Sequence, residues 1–325
     1  MTDRPPVPHR LSSTLLALVV PLVLLVAAGV TIATFADELP GRVAVHWGSS
    51  GPDGTGTLAA FLVVMLGVPA LVAVGSWLVA VRWGWGSGTR RICVGLAVGF
   101  AVAFAVMAVG ALAVQTGLDD GLKSPRIDGL VVLAIVAGVV VGGAVAFLAP
   151  RDAPQPTSDR VPADAPRLDL APGARAAWTR TVSSRSTAVV VGVTCAVLVV
   201  LAVALRTPLL AAVAAILAAL LGTMFVFRVS VDERGLTVRS ALGWPRLDVP
   251  LDEVEQARVV EVRPLAEFGG WGYRLGRGAR TGIVLRSGPG LEVERTGGRT
   301  YVVTVDDAER AVALLNTLAD RRRVA

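Results

Sequence analysis

The sequence predicts an α-helical polytopic membrane protein of six spans followed by a small C-terminal α+β domain, and three observations carry that expectation. Apolar residues make up 54% of the 325 and charged residues only 17%, with a mean hydropathy of +0.65, whereas soluble domains carry about 25% charge. The imbalance is local: residues 1–227 hold 15 Lys+Arg and 11 Asp+Glu, and residues 228–325 hold 16 and 14. Six apolar runs, at about 12–35, 58–82, 92–115, 129–149, 187–205 and 207–227, have no ionisable residue in their cores. Each approaches the roughly 20 residues that a helix needs to cross a bilayer. A single cytosolic enzyme, a secreted disulfide scaffold and a disordered chain are all excluded.

A short cytoplasmic N-terminus, 1–11, precedes the first run. That run is longer than the roughly 7–15 apolar residues of a signal peptide and ends in Phe35-Ala36-Asp37-Glu38 without a small-x-small cleavage site, so it is read as an uncleaved span. Pro21 and Pro69 are placed to kink the first two helices, and Gly142-Gly143 to permit close helix packing. Eleven Lys+Arg fall in the gaps assigned inside and four in those assigned outside, which puts both termini in the cytoplasm of a plasma membrane. The same rule accounts for the net charge of +6, so no nucleic-acid partner is expected. The last two runs form a hairpin, 187–227, joined only by Arg206-Thr207-Pro208. If they merged into one segment, the tail would change sides. Cys93 and Cys195 lie inside apolar runs and read as small buried hydrophobes.

The first outside loop, 36–57, has more pattern than a plain connection. Leu39-Pro40 ends the helix, Val43-Ala44-Val45-His46-Trp47 alternates like a short strand, and Gly51-Pro52-Asp53-Gly54 has the composition of a turn. In Leu39, Pro40, His46, Trp47, Gly51 and Asp53 the segment at about 15–65 resembles the short domain of unknown function of the DUF1648 type, found after the first span of many bacterial membrane proteins. That resemblance implies an envelope protein of the sensing or immunity kind and names no activity. His46 has three open readings: a metal ligand, a contact for an extracytoplasmic peptide or pH sensor, or an imidazole hydrogen-bonded within the loop. Trp47 suits the headgroup level.

Residues 150–186 contain scattered prolines and charge and read as a flexible cytoplasmic linker, with a short juxtamembrane helix expected over 174–182 around Arg175, Trp178 and Arg180. The tail, 228–325, alternates like a sheet. Val229 and Val231 lead into Asp232-Glu233-Arg234-Gly235, and Leu236 and Val238 lead out, a hairpin signature. Further strands are expected at about 244–249, 257–263, 282–286, 291–295 and 299–304, making seven. Ala308, Ala311, Val312, Leu315 and Leu318 then follow helical spacing, with Thr304 and Asp307 as a capping box and Arg321–Arg323 at the negative end of the dipole. Seven strands and a terminal helix suit a pleckstrin-homology-like (PH-like) barrel. Val302–Leu318 resembles the closing stretch of the bacterial PH-like domains named for the low-molecular-weight antigen of actinobacteria. Gly269-Gly270-Trp271-Gly272-Tyr273-Arg274 is similar to a segment of small actinobacterial membrane proteins carrying that module.

The loop 264–281 interleaves Phe268, Trp271 and Tyr273 with Arg274, Arg277 and Arg280. Its open readings are packing within the protein, contact with anionic lipid headgroups, and docking of a protein partner. The sequence contains no His-Glu-x-x-His, Gly-x-Ser-x-Gly or P-loop motif and no paired-Cys metal site. No cofactor, metal or catalytic residue is therefore expected. The function expected is non-enzymatic, coupling the outer loop to the inner module in sensing, immunity or scaffolding. The alternative is a small-molecule or lipid transporter, resting on Pro21, Pro69 and the hydroxyls of the helices.

Overall fold

A computed structural model describes residues 6–171, 173–183, 185–204, 211–216, 218, 226–241, 243, 246–276 and 280–324. The chain divides into a helical unit, Val7–Arg151 with Val199–Val213, and a sheet unit built from Met1–Pro6, Asp152–Leu198 and Ala214–Ala325.

Four helices of the helical unit are long and apolar enough to cross a membrane: α1 (Arg10–Ala33), α2 (Leu58–Trp83), α3 (Ser87–Ala113) and α4 (Asp128–Leu148). Large apolar side chains such as Val26, Leu71, Val140 and Phe147 point outward, a surface suited to lipid rather than water. Pro21 has a local consequence in α1. Proline lacks an N–H, and its ring crowds the carbonyl four residues earlier, here that of Ala17. The helix answers with a π-helical turn over Leu15–Val19, in which the Val20 N–H reaches the Leu15 carbonyl. Ala17 is fully buried there, clustered with Ala73, Val94 and Ala97.

Helices α3 and α4 meet along glycines spaced four apart on both sides, Gly95 and Gly99 against Gly138 and Gly142. A Cβ on Gly142 would lie 2.5 Å from the Gly95 carbonyl oxygen, and one on Gly99 would lie 2.9 Å from that of Gly138. Gly143, its neighbour in sequence, has nothing within 4 Å, so only Gly142 of the expected pair packs. The far ends are tied by Arg91, whose guanidinium donates to the Ala146 and Phe147 carbonyls at 2.6 Å and so satisfies acceptors left open at the end of α4. Between α1 and α2 stand two strands, β1 (Val43–Gly48) and β2 (Gly51–Gly56).

The sheet unit begins earlier in the chain than the charge pattern suggests. Where a helix was expected over 174–182, the structure has strand β3 (Trp178–Ser183). Trp178 and Val182 turn inward opposite Val231 and Phe227, and the β-branched Thr179 and Thr181 between them favour the extended state. The apolar helix α5 (Arg185–Ala204) follows. The sixth run, 207–227, and Arg206-Thr207-Pro208 lie almost wholly outside the described residues. Then come β4 (Val226–Asp232), β5 (Gly235–Ser240), β6 (Arg246–Val249), β7 (Val254–Val262), a one-turn helix α6 (Pro264–Phe268), β8 (Gly272–Leu275), β9 (Arg280–Val284), β10 (Gly288–Arg295), β11 (Arg299–Thr304) and α7 (Ala308–Val324).

Two sheets result, a four-stranded one of order β3-β4-β5-β6 and a five-stranded one of order β7-β10-β11-β9-β8. Nine described strands replace the expected seven, and they form two sheets rather than a closed barrel. The two added strands are β3, ahead of the expected domain, and β8, which forms a hairpin with β9. This hairpin extends the second sheet beyond β11 through a parallel β11–β9 pairing, where a simple meander would stop. Both sheets and α7 bury one core that includes Phe227, Leu236, Leu291 and Leu315.

The stretch expected as a flexible linker lies along α7. Val161 and Ala165 enter the core, the Val161 N–H donates to Asp320 at 2.9 Å, and Arg167 pairs with the same carboxylate. Asn316, the chain's single asparagine, is fully buried and spends its amide there. It accepts from the Ala257 N–H at 2.8 Å and donates to the carbonyls of Ala257 and Pro166 at 3.0 and 3.1 Å, covering an otherwise unpaired edge of β7. The expected capping box is not made. Thr304 accepts from the Leu285 N–H instead, and Asp307, at φ 61°, receives Arg180.

Candidate functional site

The first candidate surface is the β1–β2 hairpin, whose strands pair in an irregular antiparallel register. The turn is Ser49-Ser50, two residues earlier than expected. Gly51-Pro52-Asp53-Gly54 is strand, with Trp47 opposite Pro52 and His46 opposite Gly54. Proline is tolerated because each strand of a two-stranded sheet has a free edge. Two glycines make room for the side chains between the strands. A Cβ on Gly48 would lie 2.5 Å from Asp53 Oδ2, and one on Gly54 would lie 3.2 Å from His46 Cβ.

The Nδ1–H of His46 donates to Asp53 Oδ1 on the exposed face of the hairpin. Of the open readings for His46, the imidazole bonded within the loop has this direct contact behind it. Trp47 is half-buried, and its indole N–H donates to the Pro125 carbonyl at 3.1 Å. Pro40 is buried and Leu39 packs beside Ile32, Val43 and Phe61. Gly51 sits at φ 129° where the strand leaves the turn.

Residues that sequence reasoning passed over hold the hairpin in place. Gln115 is fully buried; its Oε1 accepts from the Ala44 N–H at 2.6 Å and its amide donates to Ala111 at 2.7 Å and to Ala44 at 3.4 Å. Gly121 opens a 3-10 turn laid directly on β1, where a Cβ would meet the Ala44 nitrogen at 2.5 Å and the Arg42 oxygen at 2.6 Å. Arg126 reaches the Ser49 carbonyl at 3.0 Å while paired with Asp128. The one sequence signal was an amide at the end of an apolar run. Replacing Gln115 with alanine strands the buried Ala44 amide and is expected to lower stability by about 1–3 kcal/mol. Hydrogen exchange at Ala44 checks this, since unchanged protection there would rule out the clamp.

The second candidate surface, 264–281, separates into packed and exposed parts. Phe268 is buried, with the Arg280 guanidinium 5.4 Å from its ring centre. Gly276 and Gly282 leave space for that ring: a Cβ on either would approach it to 2.7 or 2.6 Å. Arg280 also pairs with Glu267 and Glu292 at 2.9 and 2.7 Å, so its charge is balanced inside the fold. Tyr273 packs against the core from β8. Trp271 stays 43% exposed, and Arg274 donates to the Trp271 carbonyl at 2.7 Å. Arg277 lies outside the described residues. Of the residues expected to contact a headgroup or partner, only Trp271 and Arg274 are both described and exposed.

A third cluster went unnoticed in the sequence. Glu253, almost fully buried, receives the guanidinium groups of Arg295 and Arg299 and the Gln155 N–H. Arg299 also reaches Asp152 at 3.3 Å, and Arg295 lies over the Tyr301 ring at 6.0 Å. Burial raises the Tyr301 phenol above its usual range, opposed by both arginines. The available signal was the alternation Leu291, Val293, Arg295, which turns Arg295 to the core face of β10. Two carboxylates and two guanidiniums balance, an arrangement that holds a fold together. Scans against protein-family models, curated proteins and solved structures find no match to this chain.

Proposed function

We propose that the chain is a non-enzymatic integral membrane protein of the bacterial envelope, with six spans and both termini in the cytoplasm, that links an extracytoplasmic hairpin to a cytoplasmic PH-like module for sensing, immunity or scaffolding. The observation that carries this reading is the pairing of β3 with β4. Ser183 stands opposite Val226, so the chain leaves the sheet after Ser183 and rejoins it at Val226, beside the strand it left. A segment that enters a membrane between two paired strands crosses it an even number of times. This favours a two-span hairpin over one merged span and keeps the sheet unit on the side of the N-terminus. It also makes the last two spans an insertion within the module, a direct covalent route between membrane and domain. The order of the module, four strands, then three strands interrupted by β8–β9, then a helix, supports the PH-like reading.

Cysteine labelling in intact cells tests the topology. Ser49→Cys in the hairpin turn is expected to react with an impermeant maleimide from outside, and Arg310→Cys on α7 only after permeabilisation. Labelling of both from one side would sink the six-span reading. Coupling has its own test. Gln115→Ala, which loosens the hairpin, is expected to change hydrogen exchange in β3 and β4, and unchanged exchange there would rule out the link.

A further inference from the structure

We propose that the face of the four-stranded sheet turned away from the core is a binding site for a phosphate-bearing anion. The pairing register places Thr181, Arg228, Arg239 and Arg246 opposite one another in one row across β3, β4, β5 and β6, and Thr179, Ser230, Thr237 and Asp248 in the next. The intervening residues, among them Val229, Val238 and Leu247, are buried, so period-two alternation turns both rows to the opposite face. The β4, β5 and β6 members of the two rows line an open cavity of about 490 Å³, completed by Asp232, Arg234 and Pro250.

Four arginines against two aspartates leave this cavity positive, and the aspartates are engaged. Asp248 pairs with Arg246 at 2.5 Å and accepts from the Thr237 hydroxyl at 3.1 Å. Asp232 accepts from the Arg234 backbone N–H at 2.8 Å. Arg228 and Arg239 stand directly opposite each other with no acidic partner among the described residues. Like charges opposed across an antiparallel pair destabilise it, whereas a dianion between them turns the repulsion into two charge-assisted forks. Guanidinium geometry matches phosphate oxygens in this way, and the Ser230 hydroxyl, whose contact to the Thr237 carbonyl is long at 3.5 Å, supplies a further donor. Among the described residues the lining holds no aromatic side chain, so a base has nothing there to stack on, and a nucleic acid is disfavoured.

A lipid headgroup and free phosphate share this chemistry. Arg228 is the first charged residue after the apolar run 207–227, and basic residues just cytoplasmic of a span attract anionic lipids. That argument for a lipid rests on the proposed topology, whereas the anion site does not. The test uses the full chain in a phosphate-free detergent, titrated with dihexanoyl phosphatidic acid, dihexanoyl phosphatidylcholine and inorganic phosphate. Phosphatidic acid is expected to bind, the zwitterionic lipid not to, and the double variant Arg228→Gln/Arg239→Gln to bind at least about tenfold more weakly. Arg310→Gln, which removes an exposed charge elsewhere on the unit, is expected to bind as the parent does. Tighter binding of phosphatidic acid than of phosphate supports the lipid. Equal binding supports the anion site with free phosphate as its source. Absence of binding by both, unchanged affinity in the double variant, or an equal loss in Arg310→Gln overturns the proposal. The labelling experiment decides the topology separately, so the two failures are distinguishable.

Discussion

Glu253→Ala is expected to destabilise the sheet unit by about 3–5 kcal/mol, because it leaves two buried guanidiniums short of their main counter-charge. Side-chain exposure is 2% at Glu253, 9% at Arg295 and 6% at Arg299, so water cannot replace the lost carboxylate. Arg299 retains Asp152 and the Thr296 carbonyl, and Arg295 retains the Tyr301 ring and a long contact to the Asp248 carbonyl at 3.5 Å, neither of them a counter-charge of the kind lost. The damage therefore falls mainly on Arg295 and on the start of β7, where the Glu253 carbonyl also accepts from Thr296. Glu253→Gln keeps an acceptor for the Gln155 N–H and is expected to fall between parent and alanine variant. Denaturant unfolding followed by tryptophan fluorescence measures both. An alanine variant within about 1 kcal/mol of the parent would show that the cluster is not the buried unit described here.

The second large effect is a contrast between neighbours. Gly142→Ala drives a methyl group to 2.5 Å from the Gly95 carbonyl oxygen and 2.9 Å from Gly99 Cα. Both are backbone atoms that cannot turn aside, so α3 and α4 must move apart, at about 1–3 kcal/mol or more. Gly143→Ala meets nothing within 4 Å and restricts the unfolded chain, so it is expected to be neutral or to stabilise by up to about 1 kcal/mol. Thermal denaturation in detergent reads the pair, and an equal effect of the two substitutions would remove the glycine contact as the basis of the α3–α4 packing.

Much of the fold was legible because its signals are local. The spans from Arg10 to Leu148, the hairpin at Asp232–Gly235 and the helix from Ala308 follow from hydropathy and spacing within a few turns of chain. The errors share another cause. At 174–182 the Arg and Trp residues suggested an interfacial helix, but β3 exists because β4, more than 40 residues later, offers it an edge. At 150–171 the prolines suggested a free linker, but the segment is held by Asp320, Thr317 and Asn316 from the far end of the chain. The turn in the first loop was displaced because Gly51 and Gly54 were read as turn residues, whereas Gly54 makes room for a side chain across the hairpin.

Composition and periodicity by themselves determined that the apolar helices fall in the first two-thirds of this chain and that a charged sheet domain closes it, because hydrophobicity and alternation sum over adjacent residues. Only the tertiary structure decided that Gly142 packs and Gly143 does not, that Glu253 answers Arg295, and that Arg228 faces Arg239 across a polar sheet. Each of these depends on a distance of a few ångströms between groups on different strands or helices, and strand register and helix packing set such distances where residue order does not.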